Sequence, residues 1–291
     1  MNGAQHSADL RHRLSAHESV LMPGVWDPLS ALIVQNSGFS TAFVSGFAVS
    51  GTLLGRPDVG YLTQTEMAEV AQRVCASVPD LNLVVDADTG YGDPMTVRRT
   101  VELWEQAGAA GLFLEDQVWP KRCGHMDGKQ VVERADWLAK LRAACDHREH
   151  LHVTARTDAR AAVSLNEAIE RAKMARDTGV DALFVEAPQS IAEMEVIAKA
   201  LPDITLVANM VEKGKTPLLT LAELGELGFR LVVSPLSLLL AATHAMSRAA
   251  QLLADTGTLR EHLTEIAPFD AFTDLVGLPE HIANEQQYRL Q

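Results

Sequence analysis

Cysteine is scarce in this chain, with only Cys75, Cys123 and Cys145 in 291 residues. Three scattered thiols cannot build a disulfide framework, and they fit a reducing compartment. Basic charge is also in deficit. The sequence carries 25 Lys and Arg against 38 Asp and Glu, a formal net charge of −13. That balance excludes a binder of nucleic-acid backbones, which needs clustered cations. An anionic small molecule stays open as a ligand, because a few Arg and Lys can dominate one pocket. Long apolar runs are missing too. The longest near the C-terminus, Leu236–Ala242, falls far short of the ~20 residues of a membrane span. The opening stretch, Met1–Val20, lacks the apolar core of a secretory signal. A globular, cytoplasmic protein is expected.

Apolar residues are plentiful at 47%, with 22% charged, enough for a sizeable core in one α/β domain. One unit recurs along the chain: a short apolar run ending in a polar residue, then an amphipathic helical stretch. The runs that read as strands are Val20–Met22, Thr41–Ser45, Asn82–Asp86, Gly111–Glu115, His152–Arg156, Ala182–Glu186, Thr205–Asn209 and Arg230–Ser234. Helices are predicted over Thr65–Ser77, Pro94–Ala107, Arg134–His147, Leu165–Thr178, Ile191–Ala200 and Thr220–Leu227. Gly108, Gly179 and Gly228 follow three of them, where glycine ends a helix in the left-handed conformation.

About eight such units predict a (β/α)8 barrel of the TIM type. An open doubly wound sheet is the alternative, but no G-x-G-x-x-G follows the first strand and the polar strand ends recur along the whole chain. The expectation is a single barrel domain over 1–291, in which 235–291 form a C-terminal helical extension that caps the barrel or packs on a neighbouring subunit.

The functional face of a parallel barrel lies where its strands end. There the sequence puts Ser45, Asp86 with Asp88, Glu115 with Asp116, Arg156, Glu186 and Asn209. Such residues are rarely buried unpaired, so packing alone does not account for five successive strands ending this way. Asp86 and Asp88, two apart in a glycine-containing turn, offer oxygens to a hard cation such as Mg2+. Glu115 and Asp116 are placed to complete its shell through water. In Trp119-Pro120-Lys121-Arg122-Cys123-Gly124-His125 a thiol stands among basic residues, which favours a proton donor or nucleophile. Cys75 and Cys145, in predicted helices, read as core fillers. Lys213-Gly214-Lys215-Thr216 lacks the first glycine of a phosphate loop. It reads instead as a loop offering Asn209 and Thr216 to a carboxylate, while Arg156 supplies a planar fork for two oxygens.

At these segments the sequence resembles the isocitrate lyase/phosphoenolpyruvate mutase superfamily. The pieces that carry the resemblance are Ser45-Gly46, Gly55-Arg56-Pro57-Asp58, Asp86-Ala87-Asp88-Thr89-Gly90-Tyr91-Gly92, Glu115-Asp116-Gln117, Lys121-Arg122-Cys123-Gly124-His125, Ala155-Arg156-Thr157-Asp158-Ala159 and Asn209-Met210. They run in family order over about residues 20–240. Within the superfamily, Cys123 resembles the carbon–carbon lyase branch, whose members cleave malate derivatives of the petal-death, dimethylmalate and 2-methylisocitrate types. The 2-methylisocitrate type has further glycines after Ser45-Gly46 and an Arg near position 240. This chain has Phe47 and Leu240, which points away from a tricarboxylate. Phe43 stands where the family frequently has a Tyr, so the identity of the base stays open.

The resemblance implies that Asp86 and Asp88 hold Mg2+, or Mn2+ in its place, with Glu115 helping through water. It implies that Ser45, Gly46, Arg156, Glu186 and Asn209 bind the 2-oxo or 2-hydroxy acid, and that Asp58 and Lys121 belong to gating and catalytic loops. Phe47, Gly124 and Thr216 join the expected substrate-binding set. Cys123 is the expected general acid, with His125 and Lys121 beside it. A homotetramer, often with an exchanged last helix, is implied as well. The expected reaction is cleavage of a 2-hydroxy dicarboxylate into a 2-oxo acid and a second carboxylate. Oxaloacetate hydrolysis, phosphonate mutase chemistry and a non-catalytic metabolite-binding barrel are the alternatives.

Overall fold

Eight β-branched and apolar segments form the parallel strands of a closed barrel, ordered in space as in sequence, in a computed structural model that describes residues 1–123 and 128–288. They are β1 (Val20–Val25), β2 (Thr41–Val44), β3 (Asn82–Asp86), β4 (Gly111–Glu115), β5 (His152–Thr157), β6 (Ala182–Val185), β7 (Thr205–Asn209) and β8 (Phe229–Ser234). β1 and β8 close the ring, pairing Val20 with Leu231 and Pro23 with Ser234. Gly24 makes that closure feasible, since a Cβ there would lie 2.1 Å from the Pro235 carbonyl oxygen.

The predicted strands are all present, with ends within about three residues. Five of the six helices read from sequence agree within one residue at each end (Gln64–Ser77, Pro94–Ala107, Arg134–His147, Ile191–Ala200, Leu221–Glu226), and one ends two residues early (Leu165–Arg176). Their starts follow cap chemistry. Thr63, Asp93, Ser164, Ser190 and Thr220 each accept an N–H from the first turn.

Side chains alternate across each strand. Val44, Val85, Leu112, Val153 and Leu183 face the outer ring, packed with Met67, Trp104 and Leu141. Inside the barrel, Met22, Phe43, Val84, Phe113, Phe184, Val207, Leu231 and Val233 form a separate apolar layer. Leu10 and Leu14 join that layer from the helix Gly3–Ser15, which sequence periodicity did not mark. The helix is fixed to the strand starts by Ser7 Oγ donating to the Ala110 carbonyl (2.6 Å) and His6 Nδ1 at 2.7 Å from Asn82 Oδ1. The apolar layer is thus closed at its lower end and carries the strand-end residues on its upper one.

The chain divides into two compact units, Met1–Leu238 and Leu239–Gln291. Helices Phe269–Leu275 and Leu278–Tyr288 belong to the second. Among the described residues no helix is long and apolar enough to cross a membrane.

Candidate active site

The upper face of the barrel holds a small, partly open cavity. Its floor is aromatic: Phe43 and Phe113 meet as a tilted pair with centroids 4.9 Å apart, and Phe184 meets Phe113 edge-on at 5.7 Å. Polar groups enter from the strand ends and the loops after them, through Ser45, Asp58, Asp86, Lys121, Arg122, Cys123, Arg156 and Asn209. Phe47, Val211, Val233, Pro235 and Leu236 make an apolar wall.

Arg156 is the anchor of the polar side. Its Nε lies 2.9 Å from Asp158 Oδ2, one terminal nitrogen lies 3.4 Å from Glu115 Oε2, and its Cζ sits 5.4 Å over the Phe184 ring. Burial disfavours the guanidinium, but the Asp158, Glu115 and Glu186 charges more than offset this and hold the pKa well above its ordinary value. Asn209 Nδ2 donates to both Glu186 oxygens, at 3.2 and 3.3 Å. Ser45 Oγ accepts the Ala48 N–H at 3.4 Å, so it caps the short helix Gly46–Val49.

Across the cavity, Lys121 Nζ stands between Asp58 Oδ1 (2.5 Å) and Asp88 Oδ1 (2.8 Å). Burial pulls its pKa down, yet Asp88 and Asp58 prevail and keep the ammonium charged. Asp88 has the opposite balance. Burial, opposed by Lys121 and reinforced by Asp86 and Asp58, pushes its carboxyl up to about 7. Burial likewise drives Glu115 well above its ordinary value against the pull of Arg156. Two residues near these strand ends adopt the left-handed conformation without being glycine: Asp88 (φ +44°) and Ala187 (φ +55°). Strain of this kind persists where surrounding structure imposes it, commonly at functional sites.

The donor set suits a hard divalent cation. Asp86, Asp88 and Glu115 supply only oxygens, and Glu115 Oε1 is buried without a hydrogen-bond partner. Gly46 leaves space for Asp86, because a Cβ at position 46 would fall 2.9 Å from Asp86 Oδ2. The three carboxylates do not converge within 4.8 Å as a direct set of three. That spread fits an ion that keeps part of its water shell. Glu105, Glu149 and His150 do approach one another that closely, but there Glu105 Oε1 already accepts three backbone N–H groups, from residues 149, 150 and 151.

Of the sequence-predicted residues, Ser45, Phe47, Asp58, Asp86, Lys121, Cys123, Arg156 and Asn209 line the cavity. Gly46, Asp88, Glu115 and Glu186 stand directly behind them. Thr216 is buried with its hydroxyl unpaired and does not line the cavity. Gly124 and His125 lie outside the described residues. Asp116 departs from its expected place in the metal shell. It accepts from Thr157 Oγ1 (2.6 Å), the Asp158 N–H (2.8 Å) and Arg171 (3.2 Å), a buried buttress under β5. Sequence reasoning did not find Asp158, although the Arg-Thr-Asp-Ala motif contains it. The apolar wall from Val211, Pro235 and Leu236 was missed as well, because apolar loop residues carry no periodic signal.

Comparison with known proteins agrees with this geometry. A family model for phosphoenolpyruvate phosphomutase matches residues 10–254. The chain is 46% identical to the chloroplastic carboxyvinyl-carboxyphosphonate phosphorylmutase of Arabidopsis thaliana, over 95% of this chain and 83% of the relative. It is 39% identical to the 2,3-dimethylmalate lyase of Eubacterium barkeri, over 97% of this chain and 98% of the relative. Among solved structures, oxaloacetate acetylhydrolase in complex with 3,3-difluorooxalacetate superposes with a TM-score of 0.93 at 33% identity, covering 98% of this chain and 97% of that one.

Proposed function

The chain belongs to the phosphoenolpyruvate mutase/isocitrate lyase superfamily and is an enzyme of the carbon–carbon lyase type, and from that premise we propose that it cleaves an alkyl-substituted malate into a 2-oxo acid and a second carboxylate. The observation that carries this reading is the cavity with its mixed lining. Its polar lining offers Arg156, Asn209 and Ser45 to a 2-hydroxy acid, its apolar lining of Phe47, Val211, Pro235 and Leu236 accepts an alkyl substituent, and Cys123 lines the same cavity.

Asp86 and Asp88, with Glu115 through water, would hold Mg2+, which would supply Lewis-acid polarisation of the substrate's oxygens. Mn2+ would use the same oxygens. Arg156 binds the C1 carboxylate with its planar fork, kept in orientation by Asp158. Asn209, oriented by Glu186, and Ser45 complete the cradle. Lys121 and the Asp58 carboxylate beside it belong to the loops around the departing fragment. Cleavage of C2–C3 leaves that fragment as a carboxylate enolate, and Cys123 donates its thiol proton to the enolate carbon. Phe43 carries no proton acceptor, so the hydroxyl proton passes to one of the buried carboxylates. Gly124 and His125 follow Cys123 in the chain and keep the roles that the resemblance implies, His125 as a further donor to the enolate. Thr216 remains an expected donor to the bound acid from the loop after β7. In this reading the enzyme works as a homotetramer, supported by the exposed Leu263, Phe269, Phe272 and Ile282 of the second unit.

Product analysis by proton NMR tests the proposal. The protein with Mg2+ is given malate, 2- and 3-alkylmalates, 2-methylisocitrate, isocitrate and oxaloacetate. Paired 2-oxo acid and carboxylate from an alkylmalate are expected, lost with EDTA and lowered about 10²–10⁴-fold in Cys123→Ser. Oxalate and acetate from oxaloacetate alone would make it a hydrolase. Silence across the panel would overturn the lyase reading and direct the search to phosphonates.

A further inference from the structure

The segment that carries Cys123 leaves the barrel after β4 and returns at Val131. Its stem is closed by the antiparallel bridge Gln117–Val131, by the Val118 N–H donating to the Gln130 carbonyl and by the Val132 N–H donating to the Asp116 carbonyl, both at 2.9 Å. Two buried side chains that line no part of the cavity fasten the segment at its two ends. Gln117, 2% exposed, grips Arg122 in both directions. Its Nε2 donates to the Arg122 carbonyl at 2.8 Å, and its Oε1 accepts the Arg122 N–H at 2.9 Å. The backbone so fixed is the one immediately before Cys123.

Lys129 fastens the far end. It is 7% exposed, and its Nζ lies 2.7 Å from Asp158 Oδ1. Asp158 is fully buried and is the same carboxylate that holds Arg156, at 2.9 Å through Nε and 3.2 Å through a terminal nitrogen. One carboxylate therefore joins the return of the Cys123 segment to the guanidinium across the cavity. Burying an ammonium is costly unless it is paired and hydrogen-bonded. Closing a surface loop needs no such group, since the backbone bridge already does so.

We propose that Gln117 and Lys129 are positioning residues that set the Cys123 thiol against the Arg156 guanidinium, the first through the Arg122 backbone and the second through Asp158. The proposal rests on the reading of Cys123 as proton donor and Arg156 as carboxylate binder. The two roles differ in what their loss does. Gln117 acts on the thiol side alone, so its removal misplaces the donor. Lys129 shares Asp158 with Arg156, so its removal disturbs both donor and binder.

The test compares the full-length enzyme with Gln117→Met, Gln117→Glu, Lys129→Met and Lys129→Arg, all with Mg2+. Turnover of the best alkylmalate, melting temperature and the iodoacetamide labelling rate of each cysteine are followed. Gln117→Met is expected to lower kcat about 10–100-fold with KM unchanged, as a displacement of about an ångström does. Lys129→Met should lower kcat similarly and raise KM, with Lys129→Arg recovering most of both. In either Met variant the labelling rate of Cys123 should shift several-fold while Cys75 and Cys145 stay slow. Gln117→Glu keeps the acceptor and loses the donor, so it carries the test even where Lys129→Met fails to fold. Met variants that melt lower yet keep the parental kcat and Cys123 labelling rate would overturn the proposal. An enzyme that turns over nothing in the panel defeats the lyase reading separately, and the labelling rates still decide the positioning.

Discussion

At the scale of single residues, the strand-end groups were legible because a parallel barrel gathers the ends of all its strands on one face. Asp86, Glu115, Arg156 and Asn209 needed only strand boundaries to be brought together. Their partners were not legible in the same way. Gln117 and Lys129 reach across 5 and 29 residues to Arg122 and Asp158, and no spacing rule marks such pairs. The Arg156 cluster gives a prediction. Arg156→Met leaves Asp158, Glu115 and Glu186 buried with one cation fewer, so stability should fall by about 3–5 kcal/mol. Arg156→Lys keeps the charge and loses the fork, so stability should largely return while kcat/KM stays at least about tenfold low. Chemical denaturation and kinetics on the same preparations check both. Equal kcat/KM in Arg156→Lys and the parent would remove the bidentate role.

At the scale of elements, the strands and ring helices were readable from apolar periodicity and capping residues. The helix Gly3–Ser15 was not. Only Leu10 and Leu14 give it an apolar stripe, and its hold on the barrel is partly polar, through His6 and Ser7. At the start of β5, close to this helix, His152 is buried and its Nδ1 has no partner. Burial there lowers its pKa from 6.5 to about 4. In the unfolded chain the imidazole protonates near its ordinary value, whereas the folded protein resists until about pH 4. Between those values the unfolded state binds more protons. Stability from this group is therefore fully present above about pH 6.5 and is lost as pH falls toward 4, by roughly 3 kcal/mol at one pKa unit per 1.36 kcal/mol. His152→Leu should lack this component. The difference between parent and variant in urea unfolding, taken at pH 7 and at pH 4.5, isolates it from every other titrating group. A pH-independent difference would mean that the imidazole is as easily charged inside the barrel as outside.

At the scale of the whole molecule, the barrel is a polar face, an apolar middle and a sealed lower end. The polar face concentrates charge that folding alone would disfavour. Asp58, Asp86, Asp88 and Glu115 crowd around the single ammonium of Lys121, and the burial of Asp88 and Glu115 raises both carboxyls. An arrangement of this kind lowers stability in exchange for function, and a bound divalent cation would offset it. A ligand that binds only the folded state stabilises by RT ln(1 + [L]/Kd), about 2.7 kcal/mol at a hundredfold excess over Kd. Adding Mg2+ to EDTA-treated protein should therefore raise the melting temperature in a concentration-dependent way. Asp88→Asn should act in the opposite sense on the two states. It removes a charge from the cluster, so the metal-free protein should melt at or above the parent's temperature, and it removes a ligand, so the rise with Mg2+ should shrink or vanish together with turnover. A scan of melting temperature against Mg2+ concentration for both proteins reads the two effects at once. Parallel curves would exclude Asp88 from the metal site. A variant that melts lower without metal would show instead that the Lys121 ion pair, rather than repulsion among the acids, dominates this face.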